Sequence, residues 1–134
     1  MNAFIITPFD VSGQRVADCV KMALHTVGVS TFYFSGGFSS SAVTESILEH
    51  IRKADLVFCD ISRQNANVFY ELGFAHALRK DVILLRSTQA DKEIPLDLQG
   101  FLYLVYDSSN LSSLRDQVRF LAIDIVKRKG GNDD

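Results

Sequence analysis

The feature that most constrains this chain is a series of short apolar runs, each followed by a stretch of helical period. The runs are AFIIT (3–7), VSTFYF (29–34), ADLVFCD (54–60), DVILL (81–85) and FLYLVY (101–106). A strand with apolar side chains at successive positions needs cover on both faces, and that is the situation of a parallel sheet between two layers of helices. The intervening segments supply those layers. Residues 14–27 space Val16, Cys19, Val20, Ala23, Leu24 and Val27 as one helical stripe that stops at Gly28. Residues 42–53 put Val43, Ile47, Leu48 and Ile51 on one face, and two further helices are expected over 65–79 and 111–127.

Alternating strands and helices in this number predict a single doubly wound α/β domain over 1–128, a five-stranded parallel sheet in the flavodoxin-like order 2-1-3-4-5. KGGNDD (129–134) is expected to be a flexible tail. In that order strands one and three lie side by side where the winding reverses, and ligands of such sheets bind beyond the carboxyl ends of those strands. The rule selects two loops, TPFDVSG (7–13) and DISRQNAN (60–67).

Composition narrows the partners. The 134 residues form one domain's worth of chain, and 14 Lys and Arg against 16 Asp and Glu leave a net charge of −2. A balance of that kind provides no broad attraction for a nucleic acid polymer or an anionic membrane, so neither is expected as a partner. The opening MNAFIITPFD has no basic segment before its short apolar run, and no stretch has the length of a bilayer span, so a cytoplasmic location is expected. Cys19 and Cys59 read as buried thiols, His76 reads as a packed or half-exposed helix histidine, and His25 and His50 lack ligand spacing, so no metal and no cofactor is expected.

One residue of the helix over 65–79 breaks the pattern. With Val68 set at zero and about 100° added per residue, Leu72 falls near 40° and Ala75 near 340°, while Glu71 falls near 300°, inside the apolar arc. A carboxylate there has to be protonated, paired or placed at a cavity. A position beside the predicted crevice favours the cavity; a helix-dipole carboxylate paired with Arg52, Lys53 or Arg63 is the structural alternative. Leu78 falls near 280°, within the apolar arc, and Tyr70 near about 200°, away from it, as a surface or oligomer contact. Gly73 interrupts the same helix, which suggests a close approach to its backbone.

These segments, FIITPFD, ADLVFCDIS, NANVFYELGFAHAL and KDVILL, resemble the nucleoside 2-deoxyribosyltransferase-like enzymes, with the related nucleotide N-glycoside hydrolases and NAD-cleaving TIR-like domains. The resemblance implies an N-glycosidase acting on a nucleotide, deoxynucleotide or NAD-like small molecule. Glu71 would attack the anomeric carbon or help water do so, and Asp60 would hydrogen-bond or protonate the leaving base. Ser62, Asn65 and Asn67, before and within the first turn of the helix, would hold a 5′-phosphate, although the same residues serve as ordinary helix caps. Gly36 and Gly37 in SGGFSSS would form a second phosphate cradle or simply a loop. Thr7, Phe9 and Asp10 beyond strand one would line the base pocket, with a turn and helix-cap acid as the alternative. Such enzymes often complete their pocket from a neighbouring subunit, and a homo-oligomer is expected. A TIR-like signalling or defence module that binds a nucleotide without turnover is the alternative function. A phosphoryl receiver is disfavoured, because the loop after strand one lacks the acidic pair that would hold Mg²⁺.

Overall fold

A computed structural model describes residues 1–34, 41–90 and 100–131. The chain runs β1 (Asn2–Ile6), α1 (Val11–His25), β2 (Ser30–Phe32), α2 (Ser41–Lys53), β3 (Leu56–Asp60), α3 (Ala66–Ala77), β4 (Asp81–Ser87), β5 (Leu102–Tyr106) and α4 (Leu111–Gly131). All four strand pairings are parallel and the order is β2-β1-β3-β4-β5. The doubly wound, flavodoxin-like sheet expected from the apolar runs is therefore present.

Each central strand divides its side chains between two cores, because successive residues point to opposite faces. In β3, Leu56 and Phe58 pack with Ile5 of β1, with Val16, Val20 and Leu24 of α1 and with Leu114 and Val118 of α4. Val57 and Cys59 turn the other way, to Ile51 of α2 and to Val68, Leu72 and Ala75 of α3. Phe58 is fully buried, so truncating it to Ala would cost about 3–5 kcal/mol through lost transfer energy and the cavity left behind. The continuous apolar cover holds for β1, β3 and β4 but not at the sheet edges. Phe32 in β2 and Leu102, Tyr103 and Val105 in β5 are exposed, because an edge strand is flanked on one side only.

Punctuation follows local chemistry. Asp10 caps α1 by accepting from the Gly13 amide at 2.8 Å, which starts the helix three residues before the expected position. Gly28, with φ of 79°, takes the left-handed conformation that turns the chain toward β2. A Cβ added to Gly13 would lie 2.0 Å from the Pro8 carbonyl oxygen, so only glycine lets α1 start this close beneath the loop from β1. α4 continues to Gly131, and the Lys129 ammonium reaches Asp81 at 3.1 Å, so residues 129–131, expected as tail, belong to the helix.

Candidate active site

The carboxyl ends of β1 and β3 open onto the site. Asn65 caps α3, its side-chain oxygen accepting from the amides of Asn67 at 3.0 Å and Val68 at 3.1 Å. Burial of Val68, Leu72 and Ala75 then fixes the rotation of α3 about its axis and carries Glu71 inward. Glu71 is 9% exposed and has no hydrogen-bond or ionic partner among the described residues. Arg52 and Lys53 bind Glu49 instead, and Arg63 binds Asp10, which removes the structural alternative for Glu71. No sealed side-chain nitrogen or oxygen among the described residues lacks a partner, so the free Glu71 oxygens must open onto the cavity beside them.

That cavity measures about 70 Å³ and lies between α2 and α3. Val43, Ile47 and Leu48 wall it on one side, Phe9 closes it toward β1, and Thr44, Asn67 and Tyr70 add polar atoms around Glu71. No Lys or Arg among the described residues lines it. Loss of hydration in these surroundings disfavours the ionised form and pushes the Glu71 carboxyl from 4.5 up to about 7. Phe9, 43% exposed, also walls a second cavity of about 310 Å³ lined by Thr7, Asp10, Gln14, Arg15 and Phe34. Arg15 has no ionic partner there among the described residues. A cavity of about 410 Å³ at the amino ends of β3, β4 and β5, lined by Leu56, Asp81, Leu102 and Lys129, is at the opposite end of the sheet from this chemistry.

The sequence-derived candidates separate into groups. Phe9, Asn67 and Glu71 meet at the first cavity, and Thr7, Phe9 and Asp10 at the second. Asp10 is also occupied structurally. Beyond its cap it accepts from both terminal guanidinium nitrogens of Arg63, joining the loops after β1 and β3, and this pairing, together with the Gly13 amide, lowers its carboxyl from 3.8 to about 2. Gly36 and Gly37 lie outside the described residues.

Asp60 does not join Glu71. Strand alternation places it on the same face as Phe58, toward α1 and α4, whereas Glu71 stands on the α2 and α3 side. One Asp60 oxygen accepts from the Tyr106 hydroxyl at 2.6 Å and the other from the Ser62 amide at 2.9 Å. The Ser62 hydroxyl in turn accepts from the Ser87 amide at 2.7 Å, so Ser62 fastens the loop to β4 instead of standing free for a phosphate. Burial and the Asp60 carboxylate push the Tyr106 hydroxyl well above its ordinary value, so it stays a donor. Nothing in the sequence marks Tyr106, which reads there as one more apolar position of FLYLVY. Thr44, Gln14 and Arg15 escape sequence reasoning as well, because a polar residue on a helix next to a crevice looks like any surface residue.

Two further expectations change. A Cβ added to Gly73 would meet nothing within 4 Å beyond its own helix, so no described part of this chain makes the close approach that its presence suggested. Leu78, placed in the apolar arc by the wheel, is 40% exposed because it caps the end of α3, where the helical spacing no longer applies. Tyr70, 60% exposed, is on the surface as expected.

No protein-family model matches the chain, and no curated protein matches it in sequence. Solved structures do match in fold. The CMP N-glycosidase BcmB of Clostridium botulinum superposes with a TM-score of 0.68 at 15% identity, over 88% of this chain and 98% of that one. A 2-deoxyribosyltransferase of Bacillus psychrosaccharolyticus gives 0.63 at 19%, over 86% and 90%. A flavodoxin-like domain from Synechococcus sp. gives 0.62 at 11%, over 96% and 97%. The class is thus a flavodoxin-like α/β domain. Within it, the chain shares its fold with enzymes named for nucleoside chemistry as well as with a domain whose name states none.

Proposed function

We propose that the protein cleaves the bond between base and sugar in a nucleotide, deoxynucleotide or NAD-like molecule, with Glu71 as the reacting carboxylate. The observation that carries this reading is a nearly buried glutamate, without a partner among the described residues, opening onto a cavity at the carboxyl end of the sheet. The likeness in fold to a CMP N-glycosidase and a 2-deoxyribosyltransferase supports it. In the reaction, an ionised Glu71 oxygen forms a bond to the anomeric carbon as the C–N bond breaks; a nucleobase leaves with the electron pair and takes up a proton from water, whereas nicotinamide leaves with the pair as the neutral molecule. Water, or a second base, then displaces the carboxylate from the sugar. Alternatively Glu71 orients water for direct attack.

The sugar would enter the Glu71 cavity past Phe9 and the base would occupy the adjoining space beside Thr7 and Asp10, whose volume falls within the range of ordinary ligand sites, about 300–1,000 Å³. Asp60, with both oxygens engaged, takes a positioning part through Tyr106 and Ser62. A second reading is a module that holds the ligand without turnover. It is favoured by the apolar wall, which leaves Glu71 half protonated near pH 7.

Incubating the protein and Glu71→Gln with ribonucleotides, deoxynucleotides and NAD, followed by chromatography, separates the two. Release of free base or nicotinamide by the wild type alone, rising with pH through about 7 as Glu71 ionises, is the expected result. Product formation undiminished in Glu71→Gln refutes the assignment, and ligand binding without product favours the module.

A further inference from the structure

α4 is longer than the sheet it covers. Its 21 residues, Leu111–Gly131, extend about 30 Å, whereas the five residues of β3 or of β5 rise about 17 Å. The helix leaves the carboxyl end of β5 and runs back along the sheet, and its core stripe of Leu114, Val118 and Ala122 is fully buried only that far. Ile125, about one turn on, is partly buried, and Arg128 and Lys129 lie beyond it. Lys129 meets Asp81, the first residue of β4, so the last turns of the helix overhang the amino ends of the strands.

Beneath that overhang lies the cavity of about 410 Å³, larger than either cavity near Glu71 and within the range of ordinary ligand sites, about 300–1,000 Å³. Its wall divides by chemistry. Leu56, Val82, Ile83, Leu102 and Ile125 supply an apolar surface, and Asp81, Arg128 and Lys129 supply charge, two cations against one carboxylate. The Asp81 carboxylate is taken by the Lys129 ammonium at 3.1 Å. Arg128 meets Asp124, which lies outside the cavity, through one nitrogen at 2.9 Å, and its other guanidinium N–H groups have no partner among the described residues. We infer that this cavity is a second ligand site, separate from Glu71, for an amphipathic monoanion. The ligand is a small molecule with an apolar alkyl or aryl body, lying against Ile83, Leu102 and Ile125, and one carboxylate held by Arg128.

Each part of the wall selects one part of this ligand. Removal of apolar area from water draws the body in, and Leu102, 54% exposed, is the side chain with most area left to cover. The planar guanidinium matches a carboxylate with two parallel N–H donors, which fixes the head. The Arg128–Asp124 pair does not prevent this, because both side chains are more than half exposed and a pair of that kind contributes little against a competing carboxylate. A cationic ligand would have to take Asp81 from Lys129 with Arg128 beside it, which the balance of charge opposes. The full length of the strands, about 17 Å, separates the cavity from the carboxyl end where Glu71 stands, so the inference does not rest on the proposed activity.

Titration of the full chain with sodium octanoate, followed by two-dimensional amide NMR, tests the inference without any turnover assay. Saturable shifts are expected at Val82, Ile83, Leu102 and residues 125–129, with a Kd below about 1 mM. 1-Octanol, with the same body and no charge, and octyltrimethylammonium, with the opposite charge, should each bind at least about tenfold more weakly. Arg128→Gln, at an exposed position, should weaken octanoate about tenfold and leave 1-octanol unchanged, and Leu102→Glu, also exposed, should abolish octanoate binding. No saturable shift up to about 5 mM octanoate overturns the inference, as do shifts centred on Glu71 or on the exposed Phe120. Octanol or the cation binding as tightly as octanoate, or either variant binding octanoate as the wild type does, overturns it as well.

Discussion

Glu71→Gln should make the protein more stable in alkaline solution and leave it unchanged in acid. The group ionises near 4.5 in the unfolded chain and near about 7 in the folded one, because burial opposes its charge. The folded-state value is raised, so the stability tied to the protonated form is fully present below pH 4.5 and is lost as pH rises through about 7. At about 1.36 kcal/mol per pH unit, the interval amounts to about 3 kcal/mol by pH 8. Glutamine keeps the shape and has no charge to oppose, so the variant should avoid that loss. For a chain of this size the difference corresponds to roughly 10 °C in melting temperature. Thermal unfolding followed by circular dichroism at pH 4 and pH 8 measures it. Equal melting temperatures for wild type and variant at both values would mean that Glu71 is paired or hydrated in solution, and the reading of the cavity would fall with it. A stabilising substitution at a residue that also abolishes turnover is the pattern expected where stability has been given up for chemistry.

The two helix-embedded glycines should respond oppositely. Gly13→Ala drives a methyl into the Pro8 carbonyl and should lower stability by about 1–3 kcal/mol, whereas Gly73→Ala, in open space, should raise the stability of the monomer by up to about 1 kcal/mol; denaturant midpoints compare them. Tyr106→Phe leaves a buried Asp60 oxygen without its donor and should cost about 1–3 kcal/mol while preserving the fold, with amide exchange rising in the loop after β3. Asp10→Asn weakens an ion pair whose side chains are half exposed, so its effect on stability should stay below about 1 kcal/mol. The Asp10 contribution is present above pH 3.8 and disappears as pH falls through about 2, which acid unfolding of wild type and variant would reveal.

The order of elements and the rotation of α3 were legible in the sequence because both are local quantities. Whether side chains alternate, recur every three to four residues or stop at a glycine depends on neighbours along the chain, and winding rules then leave few ways to arrange five such strands. The inward turn of Glu71 followed from the same periodicity, since Val68, Leu72 and Ala75 leave α3 only one face to bury. What Glu71 faces was settled by tertiary structure: α2 and the loop after β1 build its cavity, and neither is its neighbour in the chain. Asp60 ends the strand where the chemistry is expected, yet its face of the sheet and its bond to Tyr106, 46 residues away, were set by tertiary structure. Asp10 and Arg63, 53 residues apart, pair for the same reason. Long-range partners such as these carry no periodic signal. They are chosen by which strand ends the sheet brings together, and only the folded chain decides that.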